Sequence, residues 1–192
     1  MTEPRRTRRL NNIYLVGFSG TGKSRSARAV ARRLGWRSVD TDLLVERREG
    51  NRIPDIFAEH GEKHFRQIEN IILEQVAKGS RQVVSTGGGL AIDPANRELM
   101  KLTGICVQLT TDPTIIHRRL SRGNRPKRSG VARPLLGRGA PLKRIKELLA
   151  AREPCYQFTD GTVNTDSNRT GQIVDNIIEI WDKSNGDWIQ EV

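Results

Sequence analysis

The residues Gly17-Phe18-Ser19-Gly20-Thr21-Gly22-Lys23-Ser24 match the pattern G-x-x-x-x-G-K-[ST]. Such a loop holds phosphates, because glycines let several backbone N–H groups converge on one anion and a following helix adds the field of its positive end. Lys23 is placed to reach the β- and γ-phosphates, and the Ser24 hydroxyl to coordinate magnesium. A Gly-rich turn with an incidental lysine is the competing reading. The β-favouring run before the loop and the helical pattern after it argue against that.

A phosphate cradle alone does not name a substrate. Asp40-Thr41-Asp42 puts two carboxylates one residue apart after the strand-like run Arg37–Val39, at the kind of strand end where open α/β sheets bind ligands. On an extended segment both side chains share a face. One can then hold a water of a magnesium shell while the other meets a substrate hydroxyl, and phosphoryl transfer requires both an anchored metal and an oriented nucleophile. Asp42 equally suits a helix N-cap ahead of Leu43-Leu44-Val45. Arg66, four residues after Glu62 and three before Glu69, has the spacing of ordinary surface ion pairs on a helix. Gly87-Gly88-Gly89, at the end of the strand-like run through Val84-Ser85-Thr86, make a poor strand and a good place for close ligand approach.

The elements that must carry these residues alternate along the chain. Strand-like runs fall at Asn12–Val16, Arg37–Val39, Gln82–Ser85, Ile105–Leu109 and Thr162–Asn164. Helical patterns cover Lys23–Leu34, Asp42–Glu49, Ile53–His60, Lys63–Lys78, Pro94–Leu102, Asp112–Arg122, Pro141–Thr159 and Thr170–Lys183. This βα alternation predicts an α/β fold with a parallel sheet covered on both faces by helices, reached through right-handed crossovers. The periodicity vanishes over residues 123–139, a stretch long enough to read as a functional lid or as disorder. The chain therefore divides into a basic tail (1–10), one domain (11–183) and a C-terminal tail (184–192), in which Trp188 and Ile189 are candidates for docking.

Composition narrows the function classes. A formal charge of +11 asks for anionic partners. The excess sits in Arg5–Arg9 and between Arg118 and Arg138, and aromatics are only 5% and not interleaved with these clusters, so the stacking platforms of single-strand nucleic-acid binders are missing. The expectation is no nucleic-acid partner. No apolar run approaches the roughly 18 residues of a membrane span, and the first residues lack a secretory signal, which points to the cytoplasm. Cys106 and Cys155 fit neither a metal-ligand spacing nor a disulfide framework and read as packed thiols.

Taken together, Gly17–Ser24, Asp40-Thr41-Asp42, Gly61-Glu62 with Phe65-Arg66 and Glu69, Gly87–Gly89 and Arg133-Pro134-Leu135-Leu136 resemble the shikimate kinase family in order and spacing over residues 11–181. The resemblance implies a three-layer α/β/α P-loop kinase fold, similar to nucleoside monophosphate kinases. Its five-stranded parallel sheet would have the order 2-3-1-4-5, with a mobile lid at 123–139. It implies transfer of the ATP γ-phosphate to the 3-hydroxyl of shikimate in the route to chorismate and the aromatic amino acids, with ATP and Mg²⁺ required and a monomer expected.

The same resemblance distributes roles. Asp42, Lys23 and Arg133 are the catalytic residues expected, Asp42 orienting or deprotonating the attacking hydroxyl. The nucleotide is expected on Gly20, Thr21, Gly22, Lys23, Ser24, Arg25, Arg119, Arg133 and Arg169, with Arg118 or Arg119 against the adenine. Shikimate is expected on Asp42, Arg66, Gly87, Gly88, Gly89 and Arg152, with Arg66, positioned by Glu69, and Arg152 gripping its carboxylate. Phe57 and Phe65 read either as apolar walls or as core. Magnesium is assigned to Ser24 and Asp40. Two departures stand out: a lid lengthened around Lys127-Arg128-Ser129-Gly130, and Thr170 where many relatives carry proline. The competing readings are a kinase of gluconate or a nucleoside monophosphate, and a P-loop nucleic-acid-binding or switch protein. Against the last, the third strand ends in Ser85-Thr86-Gly87 rather than a metal-binding Asp, and the sequence has no Asn-Lys-x-Asp signature.

Overall fold

Strand β1 (Asn12–Val16) is buried at every position, as a central strand of a parallel sheet must be when helices cover both faces. Its side chains alternate between two cores. Tyr14 and Val16 point into one, with Val84, Cys106 and the apolar residues of α2 (Thr41–Glu49), α3 (Ile53–Ala77) and α4 (Pro94–Thr103). Ile13 and Leu15 point into the other, with Ala27, Val30 and Ala31 of α1 (Lys23–Leu34) and Ile173, Val174 and Ile177 of α7 (Thr170–Gly186). The period of two thus builds three layers. The computed structural model describes residues 11–122, 141–166 and 169–186.

The sheet has five strands in the order β2-β3-β1-β4-β5, with β2 at Arg37–Asp40, β3 at Gln82–Ser85, β4 at Gly104–Thr110 and β5 at Gly161–Asn164. Every pairing is parallel, so all strands end along one edge. In the β2–β3 register Asp40 lies opposite Ser85, which aligns two site residues across neighbouring strands. Among the described residues no helix is long and apolar enough to cross a membrane.

Several boundaries differ from the sequence reading. The helix expected over Pro141–Thr159 is α6 (Leu142–Arg152) followed by a 3-10 turn at Glu153–Tyr156. Pro154 lacks an N–H and cannot continue the ladder, which is the physical reason. The two helices expected at Ile53–His60 and Lys63–Lys78 are the two arms of α3, kinked at Gly61 with φ 78° and ψ 176°. Helix α7 continues to Gly186, three residues past its expected end.

Candidate active site

The phosphate loop joins β1 to α1 and bends through positive φ at Gly17, Gly20 and Gly22. A Cβ at Gly17 would collide with the Leu109 carbonyl of β4, so only glycine lets the loop leave the sheet here. Lys23 is buried, and its Nζ donates to the carbonyls of Gly17 (2.6 Å) and Phe18 (2.9 Å). The lysine is therefore folded over its own loop, on oxygens that phosphate oxygens can replace. The Ser24 and Ser85 hydroxyls lie 3.1 Å apart. The β2–β3 register puts Asp40 opposite Ser85, so a carboxylate-bearing and a hydroxyl-bearing residue are neighbours at the ends of the two strands.

Asp40 and Asp42 do not share an extended segment. Asp40 is extended and is the N-cap of α2, its carboxylate accepting from Leu43 N at 3.5 Å, whereas Asp42 already belongs to the first helical turn. The cap expected at Asp42 thus falls two residues earlier. Thr41, fully buried, accepts from Gly87 N at 2.8 Å and so fixes this turn against the triple-glycine segment.

That segment is crowded by charged side chains. A Cβ at Gly87 would lie 2.5 Å from Glu69 Oε1 and 2.6 Å from Asp42 Oδ1, and one at Gly89 would lie 2.6 Å from Arg66 Nη1. The close approach anticipated for these glycines is already taken up by the protein's own carboxylates and guanidinium. Arg66 donates to Glu69, which is 2% exposed, and to Glu62 Oε1 at 3.0 Å. Burial pushes the Glu69 carboxyl up to about 7 against the pull of Arg66, and the charge of Asp42 adds to the rise. Burial alone would lower Arg66, but Glu69 and Glu62 hold it above its ordinary value. Arg152, at the end of α6, donates to Gly88 O at 2.9 Å. Burial lowers its pKa, Tyr156 opposes that, and the charge of Arg66 lowers it further. Two guanidiniums therefore stand within each other's field around the glycine turn, a setting that a bound carboxylate would relieve.

On the other side of the phosphate loop, Thr21, Gly22, Arg25, Ser26, Arg118, Arg119, Thr165, Thr170 and Ile173 line a cavity of about 400 Å³. Arg119, on α5 (Pro113–Arg122), spans it, donating to Gly20 O (3.1 Å) and Thr165 O (2.8 Å). Thr165 in turn donates to Thr21 O at 2.8 Å. The phosphate loop and the segment after β5 are thereby tied into one wall.

A family model described as "Shikimate kinase" matches residues 19–182. The chain belongs to the shikimate kinase family. It is 34% identical over 177 residues to a shikimate kinase of Caldanaerobacter subterraneus subsp. tengcongensis, covering 92% of this chain and 99% of that one. The solved shikimate kinase from Acinetobacter baumannii in complex with shikimate superposes with a TM-score of 0.81 at 33% identity, covering 90% of this chain and 93% of that one. A gluconokinase from Sinorhizobium meliloti 1021 is similar in fold alone, with a TM-score of 0.57 at 18% identity over 96% of this chain and 98% of that one.

Of the residues the family pattern singled out, the structure gathers Lys23, Ser24, Asp40, Asp42, Arg66, Gly87–Gly89 and Arg152 along the carboxyl edge of the sheet. Thr21, Gly22, Arg25 and Arg119 line the adjoining cavity, where Arg119 acts as a strut that donates to Gly20 O. Arg169 is exposed just ahead of α7. Arg133, the lid expected at 123–139 and the tail with Trp188 and Ile189 lie outside the described residues. Phe65 is buried and stacks on Phe57 with ring centroids 4.6 Å apart, as members of the core. Ser85 and the burial of Glu69 escaped the sequence reading. Ser85 looked only like the end of a strand; its hydroxyl chemistry appears once β3 lies beside the phosphate loop.

Proposed function

We propose that this chain transfers the γ-phosphoryl group of ATP to the 3-hydroxyl of shikimate, giving shikimate 3-phosphate. The observation that carries the reading is the pairing of Arg66 and Arg152 around Gly87–Gly89, with the Asp42 carboxylate against the same turn and the phosphate loop beside it. A planar carboxylate fits a guanidinium through two parallel hydrogen bonds, which fix angle as well as distance. With its acid end held there, a ring acid presents its hydroxyl to Asp42. That carboxylate receives the hydroxyl proton as the new oxygen–phosphorus bond forms and the bond to the β-phosphate oxygen breaks.

Lys23 exchanges the Gly17 and Phe18 carbonyls for phosphate oxygens, and the 400 Å³ cavity takes the nucleoside. Arg133 is assigned to the γ-phosphate on its place in the family pattern. The hard oxygen donors of Ser24, Ser85 and Asp40 suit magnesium, which when bound would neutralise phosphate charge. The enzyme is read as a cytoplasmic monomer; sedimentation analysis at working concentration tests the second part.

A coupled assay with purified protein, ATP, magnesium and shikimate tests the reading, with gluconate and nucleoside monophosphates offered as rival acceptors. Arg66→Ala should raise the shikimate KM roughly 10- to 100-fold, the loss of a charge-assisted pair, with the ATP KM little changed. Unaltered shikimate kinetics in that variant, or a preference for a rival acceptor, would overturn the assignment.

A further inference from the structure

Phe18, a position that the phosphate-loop pattern leaves unspecified, is 2% exposed and packs among Ile116 and Leu120 of α5 and Ile145 of α6. Leu148 and Leu149 of α6 complete the contact. Ile145, Leu148, Leu149 and Arg152 follow the spacing i, i+3, i+4, i+7 and lie on one face of that helix. The rotation of α6 that seats Ile145 against Phe18 therefore also sets where Arg152 emerges. The Arg152 guanidinium lies 5.4 Å from the centroid of the Phe18 ring, while its Nη1 donates to Gly88 O.

Resting on the reading that Arg152 binds the shikimate carboxylate, we propose that Phe18 is a positioning residue for shikimate: the ring face of this phosphate-loop side chain aims Arg152 at the acid. The physical basis is twofold. A cation above a ring face is attracted to it, more strongly where water is excluded. The apolar cluster beneath the ring also removes the alternative orientations that a long arginine would otherwise sample. A side chain from the nucleotide-binding loop thus sets the geometry of the acceptor site. In the same loop, a Cβ at Gly20 would touch Leu120 Cδ2 at 3.2 Å, so the seating of α5 is shared by two loop positions.

The test is a double-mutant cycle on shikimate KM at saturating ATP. Phe18→Leu keeps the cluster apolar and removes the ring face; it should raise the shikimate KM roughly three- to tenfold, with the ATP KM moving less than twofold. Phe18→Tyr should restore it. In an Arg152→Ala background, Phe18→Leu should add less than twofold. An undiminished effect of Phe18→Leu in that background, or a loss shared equally by ATP and shikimate, overturns the proposal. If Phe18→Leu does not fold by circular dichroism, Phe18→Met asks the same question. Failure of Arg152→Ala alone to raise the shikimate KM would instead refute the assignment of Arg152 on which the proposal rests.

Discussion

Replacing Gly87 with Ala should damage catalysis far more than folding. The new methyl would sit 2.5 Å from Glu69 Oε1 and 2.6 Å from Asp42 Oδ1, against an ordinary contact of about 3.4 Å, so the oxygens must retreat by roughly 0.8 to 0.9 Å. Glu69 cannot yield, being 2% exposed and paired to Arg66. Asp42 is only partly buried, in the first turn of α2, and must take up the displacement. A misplacement near 1 Å in a reacting geometry costs on the order of 100-fold, so kcat should fall by that order, while overpacking costs about 1 to 3 kcal/mol in stability. Gly89→Ala is the matched comparison. Its methyl would strike the Arg66 guanidinium, whose side chain is 25% exposed and can swing outward, so the loss should appear as a roughly tenfold higher shikimate KM with a smaller change in kcat. Steady-state kinetics with a coupled ADP assay, alongside thermal melts, separate the two. If a folded Gly87→Ala protein keeps kcat within threefold, or if both variants show the same split, then Asp42 is not held where catalysis needs it.

Three other perturbations follow from the site. Because burial raises Glu69 in the folded state, that state binds the proton more tightly than the unfolded chain between about 4.5 and about 7. Stability must therefore fall as pH rises through this window and level off above it, by up to a few kcal/mol. In urea titrations the wild type should lose stability relative to Glu69→Gln from pH 4.5 to 7; a pH-independent difference would show that Glu69 titrates normally. Arg119→Ala removes the strut between Gly20 O and Thr165 O and should raise the ATP KM about tenfold while sparing the shikimate KM, which initial rates at fixed second substrate will check. Ser85→Ala should raise the magnesium concentration for half-maximal activity several-fold, and Ser24→Ala more so, with chelator abolishing activity in every variant. Equal magnesium titration curves would remove Ser85 from the metal site.

The phosphate loop, the βα alternation and the Asp-x-Asp and triple-glycine positions were legible in the sequence because each is encoded locally, whereas Arg66, whose spacing is that of an ordinary surface pair, stood out only through the family resemblance. Glycine spacing sets backbone freedom, and apolar periods of 2 and 3.6 mark strand and helix. Even the Gly61 kink was foreshadowed by the break between two helical patterns. What the chain alone left open was direction and burial. Whether Asp40 or Asp42 caps α2 depends on where β2 ends against β3, and the answer puts Asp40 beside Ser85 and Asp42 against Gly87. Glu69, read from its spacing as half of an ordinary surface pair, becomes a buried carboxyl only because α3 packs it behind the glycine turn. The contacts of Phe18 with Arg152 and of Arg119 with Thr165 join residues 134 and 46 positions apart. Such pairings arise from how helices seat on a sheet, which short-range pattern cannot specify; the tertiary structure decides them because desolvation and packing act between segments that the sequence keeps apart.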